Sequence, residues 1–599
     1  MTGDRRASWA TVVAVVGALA LGLPGAAQAQ VPYPLDCEDL GGSKVTTAGP
    51  FKALPQEVVE VPSSIDGRPQ QIGFIRPDAP EGYKAPVIVH ASSYHARDLK
   101  DADIASCARF LSENFVQHGY AVALVPTRGV GDSDGCPNLF GEVERSDLND
   151  ALNWLGTQPW SNGKIAMYGI SYSGSTPWVA AATGNPHLAT IVPASGVNDL
   201  FDLSFAAGTL DSRFWLFVPG YYQYYGPVFN NPVTSGRDPE RTVNAVTTCP
   251  DYDKGMQATV ESTNTSERDA GGYWAERNLR PLVEQNYRGS VLLVQGMTDW
   301  NVRPGHTIPW AVSLPDHGIR VHQLLGQWHH QYPDTESPHS RWDWADRMLA
   351  WFDHELKGDA AAPLGPPVEV EDSSGMWRRA DAWPPANADL LHLNGDGTLA
   401  PETTDATASA TLAPDQRSRY YYLGQSVPQH NTDDDPAVSA AVDEACVTCA
   451  AFRMQASEEL RIAGLPELTL TVTPTGDSGH VTGFLYRKDA DGLHRLGWGM
   501  SDLRFPEGEN SGVETAAEVV PGEPMSLRIE LEPLDAVVNA GDELVLILGQ
   551  GRTGQIPGGG PQPVQLEYGG GQSTMSLAFI NPPSDAFFTP PPPEGRQLP

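Results

Sequence analysis

The sequence predicts an α/β chain in two parts, a mostly parallel sheet domain interrupted by a helical insertion and then an all-β sandwich. Three observations carry that reading. Continuous apolar runs at 85–90 (APVIVH) and 120–125 (YAVALV) flank a segment, 102–118, of helical periodicity. This is the pattern of a βαβ unit whose strands are buried on both faces. Residues 164–183 (KIAMYGISYSGSTPWVAAAT) read as a buried strand, a sharp turn and a helix. Beyond Pro366-Pro367 the pattern changes to short alternating strands between turn residues.

At 599 residues the chain is too long for one core, and its apolar fraction of 40% with 19% charged residues is that of a globular protein. Arg5 and Arg6 precede an apolar run over 10–23, and Ala27-Gln28-Ala29 presents the small residues that a signal peptidase reads. Residues 1–29 are therefore expected to be a cleaved signal peptide, and the product to be secreted. The basic pair reads as a plain leader, with a twin-arginine signal as the alternative. That run is short for a bilayer and no other segment approaches twenty apolar residues, so no membrane span is expected.

The first sheet domain is expected over 30–198. Strands at 57–61 and 70–75 form a hairpin around Asp66-Gly67, followed by the βαβ unit. The glycine-dense segment 127–135 (TRGVGDSDG) lacks the Lys-Ser/Thr ending of a phosphate loop and reads as a tight loop beside the site. A helix at 142–155 feeds the strand before Ser171, and 190–194 is the next strand. From 199 to 289 no parallel-strand signature occurs, while aromatics abound, among them Phe214, Trp215, Tyr221, Tyr222, Tyr224, Tyr225, Tyr273 and Trp274. An insertion of that length is expected to be a helical cap, whose aromatics either fill its core or line a pocket.

The sheet resumes over 290–365, with strands at 290–295 (SVLLVQ) and 319–325 (IRVHQLL) and an amphipathic helix at 342–356 stopped by Gly358. The sandwich is expected over 366–599, with strands at 368–372, 419–424, 468–474, 480–488, 526–533 and 543–549. A Gly-rich loop at 557–571 and a Pro-rich tail from Pro582 complete it.

The formal charge is −35, and −36 once Asp4, Arg5 and Arg6 leave with the leader. Such acidity argues against nucleic acid or anionic lipid as a partner, because phosphate binding needs clustered Lys and Arg. It fits a soluble surface. The six cysteines, Cys37, Cys107, Cys136, Cys249, Cys446 and Cys449, form an even set suited to disulfides in an oxidising compartment, with 15 pairings open. Cys446 and Cys449 make a lone C-x-x-C, read as a local disulfide rather than a zinc site. No cofactor or metal is expected, and homo-oligomerisation is left open.

The chemistry centres on Ser171. A serine at a strand-turn-helix tip is a nucleophile elbow: the turn lifts the hydroxyl out of the sheet and aims the following N–H groups at an oxyanion. The form is G-x-S-Y-x-G, with Gly169 before the serine and Ser173 and Gly174 after it. A serine hydroxyl needs a base, and the base needs a carboxylate to hold its tautomer. Asp299 follows one buried strand and His330 the next, the order Ser, Asp, His of α/β-hydrolases. His329 is the alternative base; Asp132 and Asp134 are alternative acids, out of that order. The oxyanion donors are expected to be the Tyr172 N–H and a hydroxyl of Ser92-Ser93-Tyr94.

These residues resemble the S15 serine peptidases and esterases, the group of Xaa-Pro dipeptidyl-peptidases, cocaine esterase and glutaryl-cephalosporin acylases. The likeness rests on 169–174 (GISYSG), 128–133 (RGVGDS) and 351–358 (WFDHELKG), and runs from about residue 55 to the end. Segments 296–302 (GMTDWNV) and 273–279 (YWAERNL), with Cys136-Pro137 and His330-Gln331-Tyr332, are closer to the Xaa-Pro dipeptidyl-peptidase branch. The resemblance implies an α/β-hydrolase domain with an inserted helical cap and a C-terminal jelly roll. It also implies His330 as base, through G-x-W-x-H, and Tyr94 as oxyanion donor, although the Thr-Pro-Tyr of family esterases is Ser92-Ser93-Tyr94 here. The expected activity is release of N-terminal Xaa-Pro dipeptides through an acyl-enzyme. An esterase or β-lactam or glutaryl acylase is the alternative, and an inactive surface binding protein the remote one. The substrates are thus peptides or small esters and amides. A free α-amine would need a carboxylate or carbonyl partner, for which Asp199, Asp202 and Asp211 are the cap's candidates.

Overall fold

The computed structural model describes residues 40–95, 99–100, 102–211, 249–335, 340–413, 448–512, 515–550, 555–558, 560, 562–581 and 586–587. Ten strands form the main sheet: β1 (Glu57–Pro62), β2 (Pro69–Ile75), β3 (Ala85–Ser92), β4 (Ala121–Pro126), β5 (Ser161–Ile170), β6 (Leu188–Ala194), β7 (Ser290–Gly296), β8 (Arg320–Gly326), β9 (Val368–Glu371) and β10 (Trp377–Ala380). Their order is β1-β2-β4-β3-β5-β6-β7-β8-β9-β10. From β4 to β9 every pairing is parallel, and β1, β2 and β10 add antiparallel edges.

Every residue of β3 and β4 is buried, which is why their sequences run apolar without alternation. The two faces still separate by parity: Val87 and Val89 pack into one layer and Ile88 into the other. Each such side chain stabilises the fold by about 1.5–3 kcal/mol. Helices α1 (Glu142–Thr157), α2 (Tyr172–Ala181), α3 (Pro250–Thr265), α4 (Pro304–Ala311) and α5 (Trp344–Phe352) are the ones that bear on the site. After α5 the chain makes one wide turn, Asp353–Lys357, and stops at Gly358 in the left-handed region at φ 72°. Trp351 on α5 is fully buried and donates its Nε1–H to Thr190 Oγ1 of β6 at 2.9 Å.

In the described part of 199–289 the insertion is helical, with one small hairpin. Helix Leu200–Ser204 leads into the paired strands Phe205–Ala206 and Thr209–Asp211, the second of which also pairs with Gln555–Pro557 of the C-terminal domain. Trp274 is buried edge-on to Phe201 and Phe205 at 5.9 and 5.8 Å, so this aromatic fills the cap core. Tyr273 lies buried beside it, under the Arg277 guanidinium at 3.7 Å. Phe214, Trp215, Tyr221, Tyr222, Tyr224 and Tyr225 lie outside the described residues.

The Cys136–Cys249 disulfide joins the end of the glycine loop to the start of α3, across 113 residues. Cys107 and Cys449 are disulfide-bonded as well. Cys37 and Cys446, and with them the expected 446–449 bridge, lie outside the described residues, as do 1–29, 419–424, part of 557–571 and most of the tail. The glycine loop is structural, as its sequence suggests. Arg128 is buried and donates Nε and Nη2 to the two oxygens of Asp147 on α1, at 2.6 and 2.9 Å. It also donates to Asp66 and Ser63 on the β1–β2 turn, both at 2.9 Å.

One element departs from expectation. Residues 368–371 belong to the main sheet, in parallel register with β8, and not to the sandwich. The alternation VEVE suggests a half-solvated strand, but all four residues are buried. Glu369 is ion-paired to Arg347 at 3.3 Å, and Glu371 accepts the Gln327 N–H at 2.7 Å. Partnered carboxylates imitate a wet face. The all-β domain follows as two packed sheets. One is built on the long strand Leu460–Pro474; the other contains Ala450–Gln455, Glu543–Gly549, His480–Asp489 and Gly492–Asp502. Leu468, Leu470, Leu485 and Leu546 fill the space between them.

Candidate active site

Ser171 stands between β5 and α2 at φ 61°, ψ −124°, outside the regions a serine prefers. Such a backbone costs on the order of 1–3 kcal/mol and persists only where its surroundings over-determine it. They do here. The Ser171 N–H donates to Ala194 O of β6 at 3.1 Å, and Ser171 O accepts both the N–H and the hydroxyl of Ser175, at 2.9 and 2.8 Å.

The glycines around the turn mark contact between backbones. A Cβ on Gly169 would lie 2.4 Å from Ser173 O, and one on Gly174 would lie 2.1 Å from Ala194 O. The off-pattern spacing follows from this. Position 173 has room for a serine, whose hydroxyl donates to Ser92 Oγ at 2.8 Å, whereas position 174 faces the carbonyl of β6 and has room for nothing. Gly174→Ala is therefore expected to destabilise the fold by about 1–3 kcal/mol or more through overpacking. Thermal unfolding monitored by circular dichroism checks this; an unchanged Tm would contradict it.

Tyr172 opens α2 with its ring turned inward. Its hydroxyl lies 2.9 Å from each oxygen of Glu144 on α1, and its ring packs on Phe140 at 4.9 Å. Glu144 is nearly solvent-free, and burial pushes its carboxyl up to about 7 against the lowering bonds from Tyr172 and the Phe140 N–H. Nothing in the local sequence flags Glu144, because its partner arrives from the next helix, beyond β5. Tyr94 follows β3, half-buried, with its ring edge toward Tyr172 at 6.1 Å. Ser92 is engaged by Ser173 and by the Tyr94 N–H at 3.0 Å. Ser93 Oγ is buried with no hydrogen-bond partner among the described residues.

Asp299 and His330 follow β7 and β8 and meet. Asp299 is buried; its Oδ1 accepts the N–H groups of Asn301 and Val302 at 2.7 and 3.1 Å, and its Oδ2 accepts from His330 Nδ1 at 2.8 Å. A carboxylate fully engaged by donors can only accept, so the proton of neutral His330 sits on Nδ1 and Nε2 carries the lone pair. That Nε2 is buried with no hydrogen-bond partner among the described residues. His329 instead places Nδ1 at 3.0 Å from Thr298 Oγ1. Asp134 pairs with Arg68 at 3.0 Å, and neither it nor Asp132 is a partner of His330 here.

Two further glycines let the loops approach. A Cβ on Gly296 would lie 2.2 Å from Trp328 O, and one on Gly326 would lie 1.7 Å from Cζ3 of the Trp328 ring. The glycines ending both strands, and G-x-W at 326–328, were the available signals for this crossing. The arrangement brings a hydroxyl on a forced turn and a carboxylate-oriented imidazole to the carboxyl edge of one parallel sheet, where acyl transfer can be run.

Among the described residues no helix is long and apolar enough to cross a membrane. Residues 66–332 match the family profile described as X-Pro dipeptidyl-peptidase (S15 family), and 362–569 that of the X-Pro dipeptidyl-peptidase C-terminal non-catalytic domain. The chain is 26% identical over 558 residues to the "Putative Xaa-Pro dipeptidyl-peptidase" of Streptomyces avermitilis, covering 81% of this chain and 77% of that one. It is 24% identical over 531 residues to the protein of the same description from Bacillus anthracis, covering 82% and 81%. Among solved structures it is similar to an aminopeptidase from the marine sediment archaeon Thaumarchaeota archaeon, with TM-score 0.68 at 17% identity over 89% of this chain and 97% of that one. An alpha-amino acid ester hydrolase matches with TM-score 0.64 at 18% identity, over 92% of this chain and 100% of the other. At such identity these two speak for the fold, an α/β-hydrolase domain with a C-terminal all-β domain.

Proposed function

The chain belongs to the S15 family of X-Pro dipeptidyl-peptidases, which are serine hydrolases, and from that premise we propose that it is a secreted peptidase releasing Xaa-Pro dipeptides from peptide N-termini through an acyl-enzyme on Ser171. The observation that carries this is the His330–Asp299 contact of 2.8 Å, with His330 Nε2 left without a hydrogen-bond partner among the described residues, at the sheet edge that also carries the Ser171 elbow. His330 Nε2 takes the Ser171 proton as Oγ bonds to the carbonyl carbon of the proline. The oxyanion so formed is met by the Tyr172 N–H and the Tyr94 hydroxyl, each such donor contributing about 2.7–4 kcal/mol. His330 then gives its proton to the departing amine as the C–N bond breaks. Water, deprotonated by the same nitrogen, releases the dipeptide and restores Ser171.

Of the cap carboxylates, Asp199 and Asp202 are already partnered, by Arg268 and Arg280, each at 2.5 Å. They line a cavity of about 200 Å³ together with Phe201, Phe505 and Glu509. Burial and the neighbouring Asp199 push the Asp202 carboxyl up to about 7. Neither enters as an unpaired anchor for the substrate amine, and Asp211 lies buried in the cap hairpin. Export is supported by the cysteines: among the described residues none is free, the state expected of an oxidising compartment.

The test compares Ala-Pro-p-nitroanilide with its N-acetylated form and with short p-nitrophenyl esters. The free amine is expected to be cleaved at least about tenfold faster than the blocked one, the factor of one charged hydrogen bond. Equal rates on free and blocked amines would sink the peptidase reading, and preferred turnover of the esters would replace it with an esterase.

A further inference from the structure

The loops that carry Asp299 and His330 are pinned from outside, both by one short stretch of the all-β domain. The stretch is 532–535, where strand Met525–Glu530 passes into Leu534–Val538. On the acid side, Val302 donates its N–H to Asp299, and its carbonyl accepts from Gln295 Nε2 at 3.0 Å. The next residue, Arg303, is buried and reaches across to Glu532 Oε1 at 2.6 Å and Glu509 Oε1 at 3.0 Å, its guanidinium 5.4 Å from the centre of the Trp498 ring. The second oxygen of Glu532 accepts the Gly305 N–H in the first turn of α4 at 2.7 Å. Gly305 itself allows that approach, since a Cβ there would lie 2.8 Å from the same oxygen.

On the base side the fastening is Gln327, shortly before His330. Its side-chain amide donates to Asp535 O at 3.3 Å and Glu371 O at 2.9 Å, while its N–H donates to Glu371 Oε2. Asp535 is buried and held in turn by Arg378 and by Trp383 Nε1. A buried ion pair is a poor means of adding stability, because an apolar pair of the same volume does as well or better; what it supplies is direction. Glu509 shares the hold on Arg303, while some contacts of the all-β domain are aimed elsewhere. Arg504, for example, reaches Thr265 O and Ser266 Oγ in the cap.

We propose that the stretch 532–535 is a positioning element of the catalytic centre: Glu532, through Arg303, and Asp535, through Gln327, set the Asp299 and His330 loops at reacting distance. The proposal rests on Asp299 and His330 being the acid and base. The domain that the family describes as non-catalytic then holds the geometry on which catalysis depends, without touching substrate.

Glu532→Gln keeps an acceptor for Gly305 and removes the charge facing Arg303. Its kcat on Ala-Pro-p-nitroanilide is expected to fall about 10- to 100-fold, the order set by a small misplacement of reacting groups, with KM little changed. The acid limb of the kcat/KM profile is expected to move to lower pH, because a loosened Asp299 holds the His330 proton less tightly. Glu532→Asp, which restores the charge one methylene short, should recover part of both. Leu546→Val, in the sandwich core, serves as the comparator that destabilises the domain without touching either loop.

If Glu532→Gln lowers Tm like the comparator but leaves kcat and the pH profile as in the parent, the proposal is overturned. Should Glu532→Gln fail to fold, Glu532→Asp carries the same readouts, and a parental profile there overturns it equally. An Asp299→Asn arm separates the two levels. Loss of activity there with an unshifted Glu532→Gln profile removes the positioning role alone, whereas full activity of Asp299→Asn removes the acid–base assignment beneath it.

Discussion

The Ser171→Ala protein is expected to fold and melt like the parent and to turn over Ala-Pro-p-nitroanilide about a million-fold more slowly. Alanine keeps the Cβ, so the turn at φ 61° is no more strained than before. The bonds that hold the turn run through the Ser171 backbone to Ala194 and Ser175, and not through the lost hydroxyl. Only the nucleophile disappears. A fluorophosphonate should label the parent and leave the variant unlabelled. Unchanged turnover in Ser171→Ala, or a parent that resists the label, would move the protein to a binding role built on an inactive hydrolase fold.

Asp299→Asn is expected to lower kcat about 10⁴-fold with the fold intact. The direction follows from the donors around the carboxylate. Oδ1 accepts two backbone N–H groups, from Asn301 and Val302, so the amide oxygen of asparagine is held at that position. Its NH2 must then face His330 Nδ1, now 2.8 Å from a donor where an acceptor stood. The ring is forced to carry its proton on Nε2, the nitrogen that has to accept from Ser171. Kinetics on Ala-Pro-p-nitroanilide, with circular dichroism as the folding control, measure this; a kcat within tenfold of the parent's would rule out Asp299 as the orienting acid.

Much of the site was legible because its residues sit at the ends of strongly patterned elements. Ser171, Asp299 and His330 each follow a buried apolar run, and in a parallel sheet such ends share one edge. Local pattern did not separate His329 from His330, since adjacent residues share it, and only the G-x-W-x-H resemblance pointed to His330. Contact with Asp299 distinguishes them. The strand at 368–371 was assigned to the wrong sheet for a related reason: its glutamates look solvent-facing until Arg347 and Gln327 are brought to them. Tyr273 and Trp274 could have been pocket or core, and only packing against Phe201, Phe205 and Arg277 decides for core. The cap carboxylates looked free for the same cause, their guanidinium partners lying 69 and 78 residues along the chain.

By itself the sequence determined the kind of element at most places, the chain order Ser171, Asp299, His330 at strand ends, and the turn that presents Ser171. These are properties of period, turn chemistry and close backbone approach, which act over a few residues. The tertiary structure alone decided which other groups pair: Cys136 with Cys249, Tyr172 with Glu144, and Arg303 with Glu532 across 229 residues. A charge or thiol carries no local mark of its distant partner. The cost of burying it unpaired is met only when the folded chain brings the partner to it.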